Sequence, residues 1–465
     1  MTRIDMTPQQ LEVETPSDLT FSLPDRTATR SKQSTRYPEK LFENQRLLSK
    51  RQTTIRIALA GCGVVGGGLV RLLHESASAI ASRFGVRFVI TKVLVRDTTR
   101  DRKLPIDSKL FTNDLELFLA EDADVVIEAV GGQEPARTIA ISALRRGRKL
   151  ITANKELIAA YGESLHALAT ANETGLDFGA AVGGSAPVIS TLRDLVGACA
   201  PRSVRGILNG TSNFLISQLE RGASLDAALA TACQRGLAEA DCSRDLDGSD
   251  AAAKLSIIAW IAYGVKPSSL QLRRTSLIPG LPHLVQLSEL LGGRVRLIGE
   301  CTLLGGDRIT AAVEPVIVPE SSPFARTTCE DNRVEVDLGW TSPLTVSGPG
   351  AGGAPTAAAL LSDLVRASSP PNDRGVDVAQ FVSVPDSREH RWLIGARLAA
   401  TDLVRLAGAA SLQVANSRVA GDYACVVVGP AHWDKTQLLF HELETLNAAP
   451  CVARCELFDA EEANQ

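Results

Sequence analysis

No run of about 18 apolar residues occurs in the chain, which argues against a membrane-spanning helix. The first residues lack the short apolar core of a signal peptide. Charge of one sign is not in excess either, and a formal net charge of -4 gives no reason to expect nucleic acid or an anionic membrane as partner. The nine cysteines include no CxxC pair with zinc or redox spacing, and an odd, dispersed set reads as reduced thiols in a cytoplasm. Internal repeats and low-complexity core segments are absent.

What is present is enough apolar sequence, 45% of 465 residues, to bury the cores of two to four domains. Residues 1–52, rich in Thr, Ser, Arg, Pro and Gln, read as a flexible extension. Order begins with the apolar strand Ile55–Ala60, which runs into Gly61-Cys-Gly63-Val-Val-Gly66 and a helix. Strand, G-x-G-x-x-G and helix in that order form a dinucleotide fingerprint. Gly61 permits the tight turn, Gly63 lets backbone approach a pyrophosphate, and Gly66 lets helix and strand pack closely. A glycine-rich turn without ligand is the alternative.

The strand Phe88–Val95 ends in Arg96-Asp97. An acid there suits the ribose 2′-hydroxyl of NAD and an arginine the 2′-phosphate of NADP, so the choice stays open, with Arg96 inclining it to NADP. Further strands at Asp124–Val130, Lys149–Thr152 and Leu176–Val182, separated by helical segments, predict a parallel doubly wound sheet. Lys155 follows a strand's carboxyl end, where such sheets place ligands. A surface lysine opening the next helix is the other reading.

Gly206–Phe214 reads as a strand breaking into a polar turn that offers Asn209, Gly210 and Thr211 to a small ligand, or as an ordinary Asn-Gly turn. Five carboxylates then fall between Gly236 and Lys254: Glu239, Asp241, Asp245, Asp247 and Asp250. Asp250 and Lys254 stand at i,i+4, and Ile258 and Ile261 extend that helical face. A lysine on an apolar stripe beside a carboxylate is partly desolvated, which suits it to donating a proton near neutrality. A capped core helix with one snorkelling lysine is the plainer alternative.

Segments at 294–300, 309–314, 333–337 and 343–346 predict antiparallel strands of a separate α+β block, and the glycine-rich 348–356 precedes a helix from near Ala357 to Arg366. Residues 368–388 read as a linker. The remainder alternates as βαββαβ, a split ferredoxin-like unit.

Five ordered motifs, Gly61–Gly68, Thr152–Lys155, Gly206–Phe214, Gly236–Lys254 and Gly348–Thr356, resemble homoserine dehydrogenase, the NAD(P)-dependent family that interconverts homoserine and aspartate 4-semialdehyde in threonine, methionine and isoleucine synthesis. The similarity spans residues 55–366. It implies Lys254 as proton donor, oriented by Asp250 and assisted by Lys155. Glu239, Asp245, Asn209, Gly210 and Thr211 would hold the substrate. Gly61, Gly63, Val64, Val65, Gly66, Arg96, Gly131, Lys155, Gly236, Glu239 and Gly352 would meet the cofactor.

The implied division is a Rossmann-type 53–185, a catalytic and dimerisation block 186–347, a returning helix 348–367, the linker 368–388 and an ACT-like regulatory unit 389–465. A homodimer or homotetramer and a threonine effector are further implications. Two departures stand out. Gly179 replaces the family's glutamate ligand for a monovalent cation, leaving the carbonyls of Val182, Gly184 and Ala186 as a weaker set for Na+, and Cys242 replaces a turn proline. The turn Ala399–Asp402 also lacks the ACT glycine. Gly179 and Ser185 motivate a second expectation, a catalytically weakened paralogue acting as a cofactor and amino-acid sensor.

Overall fold

A computed structural model describes residues 52–195, 200–238, 241–278, 280–350, 352–368 and 380–457. The expected extension therefore lies outside the described residues except at its last position, and the linker falls outside them over 369–379.

The first sheet is built from β1 (Thr53–Ala60), β2 (Val86–Leu94), β3 (Phe111–Thr112), β4 (Val125–Glu128), β5 (Lys149–Thr152) and β6 (Leu176–Asp177). All pairs are parallel and the order is β3-β2-β1-β4-β5-β6, the Rossmann arrangement. Its helices are α1 (Val64–Phe84), α2 (Leu115–Ala120), α3 (Ala136–Arg145) and α4 (Lys155–Ala171). Side chains alternate across β1, so its two faces feed different cores. Ile57 and Leu59 pack with Leu69 and Val70 of α1 and with Leu360 and Leu364 of a helix that returns from far along the chain. Ala58 and Ala60 join Ile139 and Ala140 of α3 and Leu157 and Ile158 of α4. Burial on both faces explains why these strands read as continuous apolar runs.

The expected strand 176–182 is cut short. β6 ends at Asp177, and Gly179–Ala181 forms a 3-10 turn. The cause is a side chain from elsewhere: the Ala180 N–H donates to Asp363 Oδ2 at 3.0 Å instead of to a neighbouring strand.

Beyond it come α5 (Val188–Leu195), β7 (Ser203–Ile207), α6 (Gly210–Glu220), α7 (Leu225–Gln234), α8 (Ser243–Leu246), α9 (Ser249–Tyr263), β8 (Leu272–Arg274) and α10 (Leu281–Leu290). Next are β9 (Gly293–Gly305), β10 (Arg308–Pro319), β11 (Asp331–Asp337), β12 (Leu344–Pro349) and α11 (Gly353–Ala367), the returning helix. α11 starts four residues earlier than its apolar pattern suggests, because Gly353 sits against Val64: a Cβ there would lie 2.2 Å from Val64 Cγ1. Glycine is what lets the two helix starts meet. α9 is buried nearly all round, and Gly248 before it takes φ 82°, a left-handed turn that glycine adopts without strain.

The chain closes with β13 (Val382–Ser383), β14 (His390–Ala396), α12 (Ala400–Ala409), β15 (Val414–Ala420), β16 (Tyr423–Ala431), α13 (Trp433–Thr445) and β17 (Cys451–Cys455). β14 to β17 form the expected βαββαβ unit, in the order β17-β14-β16-β15. It is not a bead on a string. β17 runs parallel to β10, with Val316 opposite Arg454, so one sheet passes through β12-β11-β7-β9-β10-β17-β14-β16-β15, and β8 and β13 also pair with β10.

A buried ion network sits at that seam. Arg454 reaches Glu300 at 2.6 Å, Glu456 at 3.0 Å and Glu314 at 3.5 Å. Arg273 holds Glu314 at 3.0 Å and approaches Asp386 at 3.6 Å, which also takes Arg388 and His390. Part of the expected linker is thus fixed: Val382–Ser383 is a strand, and Asp386 is a buried anchor.

Candidate active site

The glycine loop between β1 and α1 divides by what each missing Cβ would meet. At Gly61, φ is 91° and a Cβ would lie 2.4 Å from the Ala129 carbonyl oxygen; at Gly66 it would lie 2.1 Å from the Gly61 oxygen. Those two glycines serve close packing. At Gly63, Gly131, Gly132 and Gly236 a Cβ would meet nothing within 4 Å. Here the backbone borders open space, as a cradle for a bulky dinucleotide requires. Val64 is 79% exposed at the start of α1, whereas Val65 is half-buried.

The loop after β4 is organised by Glu128, a fully buried carboxylate that sequence reasoning passed over. It accepts from the N–H groups of Val130 (2.8 Å) and Gly131 (3.2 Å) and from the Thr152 hydroxyl (2.5 Å). Asn154 caps α4 through the Leu157 N–H and donates to the Gly132 carbonyl at 2.6 Å. The signal was available: an acid inside the apolar strand 125–130 needs partners.

Lys155, the first residue of α4, is thereby aimed at α9. Its Nζ lies 2.9 Å from Asp250 Oδ1, while Lys254 Nζ lies 2.8 Å from Asp250 Oδ2 and donates to the Leu208 carbonyl at 2.7 Å. One carboxylate therefore bridges two ammonium groups from opposite sides of the site. Of the strand and polar turn anticipated over 206–214, the strand is the end of β7, and the turn is the capped first turn of α6. Asn209 Oδ1 accepts from Ser212 N, which frees its Nδ2 to donate to both Asp245 (2.7 Å) and Asp250 (2.8 Å). Gly210 packs so tightly under Glu330 that a Cβ would lie 2.7 Å from its carbonyl, and the Thr211 hydroxyl holds the Leu237 carbonyl at 2.7 Å.

Burial alone would raise the Asp250 pKa, but the ammonium groups of Lys254 and Lys155 outweigh it and hold the carboxyl below the usual range. Asp245 goes the other way: burial raises it, and the Asn209 hydrogen bond only partly offsets that. A lysine offers three N–H donors, and two of Lys254's are taken by Asp250 and Leu208. Among the described residues the third has no hydrogen-bond partner, which leaves it for an oxygen of a bound ligand. Arg244 beside this cluster pairs with Glu156 at 2.5 Å, joining α8 to α4.

Glu239 lies outside the described residues. Gly236 and Gly352 carry φ of 68° and 112° at the ends of α7 and before α11. Arg96 is exposed after β2, and Asp97 beside it is consumed locally, accepting from Thr99 N at 2.8 Å and Thr99 Oγ1 at 2.6 Å, which lowers its pKa.

The residues expected to hold a monovalent cation fit one poorly: they bring no carboxylate of their own, and the Ala186 carbonyl already accepts from Val188 N. The carboxylate next to them, Asp363, is bonded to Arg366. No group of three or more His, Cys, Asp or Glu able to hold a metal occurs among the described residues.

Two family models match in succession: "Homoserine dehydrogenase, NAD binding domain" over residues 61–178 and "Homoserine dehydrogenase" over residues 187–365. A homoserine dehydrogenase of Mycobacterium tuberculosis is 38% identical over 320 residues, 68% of this chain and 72% of that one. The solved structure of a homoserine dehydrogenase from Thiobacillus denitrificans superposes with a TM-score of 0.75 at 29% identity, covering 87% of this chain and 98% of its own. For the enzyme from S. aureus the figures are 0.66 and 26%, over 87% and 99%. The glycine loop, the Lys155–Asp250–Lys254 bridge and the Asn209 cap lie within the matched stretches, and the chain belongs to the homoserine dehydrogenase family.

Proposed function

We propose that the chain interconverts L-homoserine and L-aspartate 4-semialdehyde by NAD(P)-dependent hydride transfer, an oxidoreductase reaction at a CH–OH group. The observation that carries this reading is the bridged pair of lysines, one from each side of the site. The nicotinamide, when bound, supplies or removes the hydride. Gly63, Val64, Val65, Gly131, Gly236 and Gly352 border the space for the cofactor, Gly61 and Gly66 set the loop by close packing, and Glu239 is assigned there by the resemblance alone.

In the reducing direction, negative charge develops on the aldehyde oxygen as the carbon accepts hydride. Lys254 donates its free N–H to that oxygen and then the proton, leaving the alcohol. Asp250 keeps the ammonium aimed and Lys155 adds positive charge beside it. Asp245 is the carboxylate for the substrate ammonium, joined by Glu239 on the resemblance alone, with Asn209, Gly210 and Thr211 shaping the wall. The sensor reading has no support of its own, since a protein without turnover has no need for a lysine held by two partners with one donor free. Purified protein should reduce NADP+ with homoserine and not with alcohols lacking the amino-acid head. Absence of homoserine-dependent turnover would remove the reading.

NADP is the expected cofactor, because Arg96 is exposed at the end of β2 and suits a 2′-phosphate, whereas Asp97 already has one carboxylate oxygen engaged by its own turn. Arg96→Ala should lose about tenfold in kcat/KM with NADP and change less than about twofold with NAD. Equal losses with both cofactors would show that Arg96 does not read the phosphate.

The same reading divides the chain into an NAD(P)-binding part (53–185), a catalytic and dimerisation part (186–347), the returning helix (348–367), a connector (368–388) and an ACT-like regulatory part (389–465) with threonine as candidate effector. The split βαββαβ order supports that last assignment. A cytoplasmic homodimer or homotetramer is part of the proposal; the sheet's edge strands β12 and β15 support association, as do the exposed Trp340 before β12 and Leu344 at its start.

A further inference from the structure

Where β6 gives way to the 3-10 turn, the chain carries a charge arrangement that the reaction does not use. A Cβ at Gly179 would lie 2.5 Å from Asp363 Oδ1 and 3.0 Å from Oδ2, so the carboxylate of α11 fills the place that a side chain from position 179 would take. Asp363 is 2% exposed. Its Oδ2 accepts from Ala180 N, and Arg366, one turn on, donates to its Oδ1. Arg366 also lies 3.9 Å from Asp177, which pairs with Arg193 at 2.9 Å. Beside this group is a cavity of about 100 Å³, lined among others by Gly179, Gly184, Ala186, Ser362, Asp363 and Arg366.

The sum of charges there is two carboxylates against two guanidinium groups. A buried carboxylate beside a cavity would ordinarily draw in a cation, but this one already has a counter-ion that cannot diffuse away. A metal ion entering the same cavity would meet Arg366 and add a charge with nothing left to balance it. Burial raises the Asp363 pKa to about 6 even so, with Arg366 opposing, which shows how much the carboxylate depends on that neighbour. The turn is also mechanically placed to matter: Phe178, just before Gly179, stacks on Trp260 of α9 with centroids 5.7 Å apart and planes within 7°.

We propose that Arg366 is the built-in counter-ion of this cavity, that no monovalent metal ion binds there, and that neither stability nor turnover of the protein responds to Na+ or K+. The kinetic half rests on the hydride-transfer reading; the stability half does not. The test uses the full chain near pH 8, in chlorides of Na+, K+ or tetramethylammonium at equal ionic strength.

The wild type should melt within about 1 °C in all three salts, and homoserine turnover should vary by less than about twofold. Arg366→Met leaves Asp363 buried without its partner, so the cavity becomes a cation site: melting should rise by about 3 °C in Na+ or K+ relative to tetramethylammonium. The double variant D363N/R366M should lose that response. Arg366→Lys, which keeps a cation on the chain, should stay insensitive and decides the matter alongside the wild type if Arg366→Met does not fold. Activation of the wild type by about fivefold or more in Na+ or K+, or an R366M melt indifferent to all three salts, overturns the proposal. A protein without homoserine turnover but with the expected melts would instead remove the functional reading and leave the counter-ion assignment standing.

Discussion

Lys254→Ala lowers kcat by about 10³-fold or more while the dissociation constant for NADP changes less than about twofold. The expectation follows from where the side chain is. Lys254 is buried on α9, with one donor on Asp250 and one on the Leu208 carbonyl, so its remaining donor points from a fixed ammonium rather than from a mobile surface chain. Removing it deletes both the proton source and the charge that meets the developing oxyanion. Neither polar partner of Lys254 among the described residues belongs to the glycine loop, so cofactor binding has no reason to weaken.

Lys155→Ala should lose less turnover, about 10-fold to 10²-fold, because its ammonium supports through Asp250 and is about a third exposed. Asp250→Asn would retain the Asn209 neighbour but lose the anion that holds both lysines. Stopped-flow turnover together with fluorescence titration of NADPH separates these outcomes. A Lys254→Ala enzyme with more than about a tenth of wild-type kcat would remove Lys254 from the chemistry.

Arg454→Met destabilises the protein by about 3–5 kcal/mol, because it leaves Glu300 and its neighbours buried at the β10–β17 seam without their cation. Thermal melting should fall by about 3–6 °C, with kcat below the transition changed less than about twofold. The pH dependence gives a second, sharper sign. In the wild type, burial would raise Glu300, but Arg454 and Arg205 outweigh it and hold the carboxyl below its usual range. Its contribution is therefore present above the unfolded carboxylate pKa of about 4.3 and is lost as pH falls below it.

Without Arg454 the burial effect is opposed by Arg205 and the Thr302 hydroxyl, and Glu300 is expected to titrate above its unfolded value. The variant should then gain relative stability as pH falls toward that value, the reverse of the parent. A melt of Arg454→Met within about 2 °C of wild type at neutral pH would show that the seam does not depend on this network.

Much of this architecture is legible in the chain's letters, and the reasons are local. The strand–glycine–helix order at 55–73 is written in consecutive residues because phosphate cradles are built from one turn of backbone. The same holds for Asp250 and Lys254, whose four-residue spacing on a helix already puts them in contact. The C-terminal alternation of strands and helices was equally readable, each element carrying its own period. Asn209 was half legible: its position was right, but its letters suit a turn as well as a helix cap, and only the downstream helix decides between them.

What failed to show in the sequence depends on partners far apart in number. The 3-10 turn at Gly179–Ala181 looked like strand because its apolar letters fit one, and it is Asp363, 184 residues later than Gly179, that takes its N–H and its side-chain space. The C-terminal unit looked detachable because the polar stretch before it reads as a linker, yet β17 pairs with β10 and Arg454 is held by Glu300 and Glu314. Glu128 was overlooked because a strand pattern says nothing of which loop its acid will organise.

The sequence by itself determined the parallel nucleotide-binding sheet and the Asp250–Lys254 pair on α9, since each rests on patterns among residues near in the chain. Tertiary structure alone decided that one carboxylate bridges Lys155 and Lys254, that the chain's own arginine neutralises the cavity at Gly179, and that the last unit continues the catalytic sheet. Those outcomes are electrostatic and geometric closures between distant segments, and no spacing within a segment encodes them.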